Sequence, residues 1–189
     1  MMTTAEAKRL IKSLHQGDIL LVSESGLLHA INRTLQRSRW HHVMLYVGNS
    51  QTLEATPRNG AHICDLLHDL VEKPYMAIRI LRNKKLAAKQ RKQVVQTALK
   101  LFKGKKFSWL QYGKIVFGRT LHWRKEGNKS LVCKPGHKCN TGSVACSNMV
   151  AMAYYEAGFP ISEKYMPEYV VPKDYEEAEG FDVVFNSRI

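Results

Sequence analysis

The chain has 189 residues, 44% hydrophobic and 24% charged, with 12 Gly, 6 Pro and 4 Cys. That composition excludes a disordered tail and a disulfide-stapled miniprotein, and it fits one domain over residues 1–189 with a sizeable core. The net charge of +13 arises in one place: Arg82 to Lys125 holds 14 basic residues and no acidic one, while the rest carries 15 basic against 16 acidic, so a basic surface belongs to one segment and not to the fold.

No apolar run approaches the roughly 20 residues that cross a bilayer, so no transmembrane segment is expected. The start, Met1 to Lys8, leads into a short amphipathic pattern instead of a signal-peptide apolar region, which gives a cytoplasmic expectation. In a reducing compartment Cys64, Cys133, Cys139 and Cys146 are expected as thiols, metal ligands or a nucleophile ahead of structural disulfides.

Thr3-x-x-Glu6 has capping-box spacing, and Ala7, Leu10, Ile11 and Leu14 recur at helical intervals before Gly17, predicting a helix near residues 4–15. Asp18 to Val22 reads as a buried strand, and Leu27, Leu28, Ile31 and Leu35 as a helical stripe. Trp40 to Val47 and Gln51 to Ala55 flank Gly48-Asn49-Ser50, a hairpin signal. Tyr75 to Leu81 is a further strand, with a weaker one at Ala61 to Cys64. Leu86, Val94, Ala98 and Leu101 form the apolar face of a helix whose other faces hold Lys89, Arg91, Lys92 and Lys100. A short helix is expected over Trp109 to Phe117, then an irregular loop insertion at about 118–142. Cys146, Met149, Val150, Ala153, Tyr154 and Ala157 mark a sustained helical face that ends at Gly158, and Phe181 to Phe185 is the last strand.

Cys146 falls in the first turn of its helix, with Ser143 as candidate N-cap. There the free backbone N–H groups and the positive end of the dipole favour a thiolate and can also receive the oxyanion formed when a thiolate attacks an acyl carbon. A buried small hydrophobe is the competing reading of the same residue. A cysteine nucleophile needs a base held by a third polar group. With a three-residue hairpin loop Val47 faces Gln51, Met44 faces Glu54, and His42 lies diagonal to Glu54 on the same sheet face. A two-residue loop shifts the register by one and puts the pair on opposite faces. His41 competes as the base from the other face, and a solvent-facing polar pair is the bland reading of His42 and Glu54.

Taken in order, Gly17-Asp18-Ile19-Leu20-Leu21, His42-Val43-Met44-Leu45-Tyr46-Val47-Gly48, Leu53-Glu54-Ala55, Ala145-Cys146-Ser147-Asn148-Met149-Val150, Tyr154-Tyr155-Glu156-Ala157-Gly158 and Val171-Pro172-Lys173-Asp174 resemble the circularly permuted NlpC-type papain-like cysteine hydrolases, the YiiX/YebB-like group. The resemblance implies an α+β permuted papain-like fold, an antiparallel sheet or barrel packed against the helix of the nucleophile. It also implies Cys146 as nucleophile, His42 as base and Glu54 as the orienting third member; no cofactor is expected. Asn148 and Met149 depart from the acidic and aliphatic residues that often follow the Cys-Ser pair in that group.

The leading expectation is therefore hydrolysis of an amide bond in a peptide or other acyl substrate, a cell-wall-type peptide among the candidates, through a thioacyl-enzyme. An acyltransferase or thioesterase acting on lipid, as in lecithin retinol acyltransferase-like relatives, differs in the acceptor and would use the basic segment 82–125 on anionic lipid. A different class stays open. Cys133, His137 and Cys139, with Cys146, supply a three-Cys, one-His zinc set, although a Cys133–Cys139 disulfide or unrelated thiols explain the same residues more simply. Such a zinc-stabilised module would bind nucleic acid or another polyanion through the basic segment, with Phe102, Phe107, Trp109, Tyr112 and Trp123 available to stack on bases.

Overall fold

The computed structural model describes residues 2–26, 30, 33–34, 38–124, 136–142 and 144–188. Along the chain run α1 (Thr4–Ser13), β1 (Ile19–Glu24), β2 (His42–Gly48), β3 (Gln51–Thr56), β4 (Gly60–Asp65), α2 (Leu66–Glu72), β5 (Tyr75–Asn83), α3 (Ala88–Phe102), α4 (Trp109–Arg124), α5 (Cys146–Glu156), a 3-10 turn (Pro167–Tyr169), α6 (Pro172–Glu176) and β6 (Phe181–Arg188). The strands form one antiparallel sheet in the order β4-β3-β2-β1-β5-β6. The fold is α+β.

β1 lies inside the sheet with both faces covered, and so reads as a continuous apolar run. Its alternate residues enter two cores. Ile19 and Leu21 join Val43, Leu45 and Leu53 against α3 and α5, whereas Leu20 and Val22 join Met44 and Tyr46 against α1 and α2. The entry to β1 is tied down by polar contacts: Gly17 N–H donates to Tyr46 O, Tyr46 N–H donates to Asp18 O, and the Tyr154 hydroxyl of α5 donates to Gly17 O. These bonds fix α5 against the middle of the sheet.

The Thr3–Glu6 capping box opens α1 as expected. The helix expected from Leu27 to Leu35 lies mostly outside the described residues, as do Cys133 and Ser143. The hairpin differs from its sequence reading in an instructive way. Its loop has two residues, Asn49 and Ser50, both at positive φ as a type I′ turn requires, and Gly48 pairs with Gln51. Alone this would put His42 and Glu54 on opposite faces. A bulge between Tyr46 and Gly48, where Gly48 takes φ +99°, absorbs one residue and restores Tyr46 to Thr52 and Leu45 to Leu53. Met44 and Glu54 thereby return to facing positions, the register of the three-residue loop.

The weak strand at Ala61 is a full β4, anchored where Ala61 N–H donates to Lys105 O. Gly60 permits that approach, since a Cβ there would sit 2.3 Å from the same oxygen. Helix α2 follows at once, capped by Asp65, which accepts from Leu67 and His68 N–H. Residues 118–124, expected as the start of an irregular loop insertion at about 118–142, are helical, because α4 continues to Arg124 through a stretch with no proline, and residues 125–135 lie outside the described residues. On α3, Val94, Val95, Ala98 and Phe102 are buried while Lys89, Lys92 and Lys100 are exposed, so its share of the basic segment is a solvated face. Among the described residues no helix is long and apolar enough to cross a membrane.

Asp18 is fully buried, its carboxylate clamped by Arg82 through Nε at 2.8 Å and Nη2 at 2.6 Å and by the His15 N–H at 2.8 Å. Removing one partner of such a pair strands the other. Asp18→Ala is expected to cost about 3 kcal/mol in urea unfolding; a loss below roughly 1 kcal/mol would mean the clamp is a surface pair in energetic terms.

Candidate active site

Cys146 is the first residue of α5, and Ala145, not Ser143, is its N-cap. The Asn148 side chain, three residues on, accepts from the Ala145 N–H at 2.7 Å, which closes the helix end without a hydroxyl cap. Cys146 is a buried free thiol. Burial would push this thiol up, but the charge and hydrogen bond of His42, together with the Val43 and Ser147 N–H groups, outweigh it and bring it below its usual value.

His42 opens β2 at the rim of the sheet, where it meets both the thiol and Glu54. Its Nε2 lies 2.6 Å from Glu54 Oε2, which leaves Nδ1 as the ring nitrogen for the sulfur. Burial acts to lower the histidine, but the Cys146 charge and hydrogen bond, then those of Glu54, raise it to about 10. Glu54 is 3% exposed; burial would raise its carboxyl, yet the bond to His42, its charge, the Cys64 thiol and Lys73 hold it well below the carboxylate range. The shifts of the three groups run together, each favouring the charged form of its neighbour.

His41, the competing base, is buried elsewhere, its Nδ1 accepting from the Glu24 N–H at 3.2 Å. Two neighbours of the site escaped sequence reasoning. Cys64 donates to Glu54 Oε1 at 3.0 Å, and Lys73, paired with Asp69 at 2.7 Å, approaches the same oxygen at 3.9 Å. The pairing of β3 with β4 puts His62 opposite Glu54 and Cys64 opposite Thr52; the signal was the alternation at Ala61 to Cys64. Tyr175 of α6 closes the base of the site by donating to Ser147 O.

The cysteines near the helix separate into distinct environments. Among the described residues, His137 and Cys139 cluster with Glu168, and Glu54 clusters with His62 and Cys64, but Cys146 belongs to neither group of metal-ligating types. Cys133, the partner of Cys139 in the simpler disulfide reading, lies outside the described residues.

No family model matches the chain, and no curated protein does. Among solved structures it is similar to the crystal structure of metalloprotein yiiX from Escherichia coli O157:H7, at 15% identity and a TM-score of 0.64 over 92% of this chain and 97% of that one. The likeness is one of fold.

Cys64 provides an internal contrast, since burial and then the Glu54 carboxylate push its thiol up to about 12. With iodoacetamide at pH 6, Cys146 is expected to alkylate at least about 100-fold faster than Cys64, read by peptide mass spectrometry. The rate should stay level up to about pH 10, where His42 loses its proton, and fall on acidification as Cys146 protonates. His42→Ala should slow Cys146 at pH 6 by at least about tenfold, the effect of one pKa unit on the thiolate fraction. Equal labelling of the two cysteines would contradict the assignment of charges.

Proposed function

We propose that the protein is a cysteine hydrolase of permuted papain-like type that cleaves an amide bond through a Cys146–His42–Glu54 triad. One observation carries the reading: a thiol at a helix N-terminus touches a histidine whose other nitrogen is 2.6 Å from a buried carboxylate. The yiiX-like fold agrees with it. The Cys146 sulfur attacks the carbonyl carbon, and the carbonyl π electrons move to oxygen, which the N–H groups at the N-terminus of α5 receive. His42 Nδ1 gives its proton to the departing amine as the C–N bond breaks, leaving a thioacyl-enzyme. Water then attacks, His42 takes its proton, and the acid leaves with the thiolate restored. Glu54 remains ionised and holds the ring.

A lipid-directed acyl transfer is the second reading, favoured by the surface of α4. Trp109, Leu110 and Phe117 are 65–72% exposed, beside the exposed Lys103, Lys105, Lys106 and Lys114. Apolar and cationic side chains together suit an anionic bilayer surface.

The structurally similar yiiX is described as a metalloprotein, and the donor types gathered at His137, Cys139 and Glu168 suit zinc. A metal held there would cross-link the segment leading to α5. The steps above are those of this chain's own side chains.

With p-nitrophenyl acetate the expected result is a burst of one p-nitrophenolate per chain with the acetyl group on Cys146 by mass spectrometry. Cys146→Ala should abolish the burst, and His42→Ala should slow it about 10²–10⁴-fold. Acetylation of a different residue, or no burst, would overturn the hydrolase reading. Turnover accelerated by an added amine or alcohol over water, with binding to phosphatidylserine vesicles that Leu110→Glu removes, would move the assignment to acyl transfer.

A further inference from the structure

We propose that His137, Cys139 and Glu168 form a zinc site that staples the segment before the candidate nucleophile to the turn at Pro167–Tyr169. Their ligand atoms, an imidazole nitrogen, a thiolate sulfur and a carboxylate oxygen, all lie within 4.8 Å of one another. A ligand set of this kind, with a fourth position left for water or another donor, is what zinc takes and what calcium or magnesium does not.

Several observations point to a cation at this place. Glu168 is 7% exposed, in a position where a carboxylate needs a charged or multiply bonded partner. Both of its oxygens turn toward one atom, His137 Nε2, at 2.9 Å each, and one of them also accepts from the Asn140 N–H. A second carboxylate, Glu156 of α5, accepts from the Cys139 N–H at 3.2 Å. Two negative groups thus converge on residues 137–140. The supporting contacts set the ligand-bearing backbone in place: the Tyr155 hydroxyl donates to His137 O at 3.2 Å, its ring meets the imidazole edge to face, and Gln111 Nε2 donates to Glu168 O at 3.2 Å. Outer contacts of this type orient ligands in known metal sites.

The other cluster is less suited. In Glu54, His62 and Cys64 the shared carboxylate is already bonded to His42, and the Lys73 ammonium lies 3.9 Å from the oxygen that a cation would need. Binding at His137, Cys139 and Glu168 requires only that Nε2 offer its lone pair to the metal and that the Cys139 thiol release its proton to solvent. The hydrogen bonding of His137 Nε2 with Glu168 is the arrangement that the metal would replace. Cys146 takes no part, so the site and the thiol chemistry coexist. The proposal stands whether or not the chain is a hydrolase.

The test uses the full chain, stripped with a chelator and titrated first with zinc against a chromophoric competitor, then with cobalt(II). The expected result is one equivalent bound, with a thiolate-to-cobalt charge-transfer band in the near ultraviolet and visible bands of tetrahedral intensity. Cys139→Ser should remove the charge-transfer band while circular dichroism stays that of the wild type. His137→Ala and Glu168→Gln should each weaken zinc by at least about the 10–100-fold that loss of an outer-shell partner produces. Zinc should also raise the melting temperature of the wild type, and Cys139→Ser should abolish that rise. Absence of the band, its persistence in Cys139→Ser, or its loss in Cys64→Ser or Cys146→Ala instead would overturn the proposal.

Discussion

The candidate site rests on one buried carboxylate. Glu54 is almost fully withdrawn from water yet keeps its charge, because His42, Cys64 and Lys73 surround it with donors and positive charge. A carboxylate so placed has to be paired, and its nearest partner is the ring that also touches Cys146. The negative charge on Glu54 favours the imidazolium, the imidazolium favours the thiolate, and the thiolate reinforces the imidazolium. Each charge favours the next, so Glu54 on β3 acts through His42 on the Cys146 thiol of α5.

That placement depends on backbone detail in the hairpin. A type I′ turn at Asn49-Ser50 is well matched to the twist of two antiparallel strands, but by itself it would send His42 and Glu54 to opposite sides of the sheet. The bulge beside Gly48 corrects the register. A glycine at φ +99° is thus part of the site without touching it. From the other side, α5 is held by the Tyr154 bond to Gly17 and the Tyr175 bond to Ser147, which bring the helix N-terminus to the first residues of β2.

Much of this was legible in the residues. The stripe from Cys146 to Ala157 located α5, the run Ile19 to Val22 located a strand buried on both faces, and Thr3 with Glu6 located the start of α1. Sequence alone does not choose between two loop lengths for the hairpin, since strand periodicity is two and a single bulged residue inverts every assignment. The helix cap was expected at Ser143, but an asparagine inside the helix performs it from Ala145. Helix α2 had its signal in Asp65 followed by Leu66, Leu67, Leu70 and Val71, but its seven residues make only about two turns, too short a stretch for the helical period to stand out. Glu168 was invisible as a partner of His137, because 31 residues separate them and only the packing of the 3-10 turn beside α5 joins them.

The central claim is that His42 is a cation because Cys146 is an anion, and a histidine titration by nitrogen-15 NMR tests it most directly. In the wild type both ring nitrogens of His42 should carry protons at pH 8, with deprotonation only near pH 10, and in Cys146→Ala the titration should move down toward the ordinary histidine range. A His42 that is neutral at pH 8 in the wild type, or one whose titration ignores the loss of Cys146, would contradict the account.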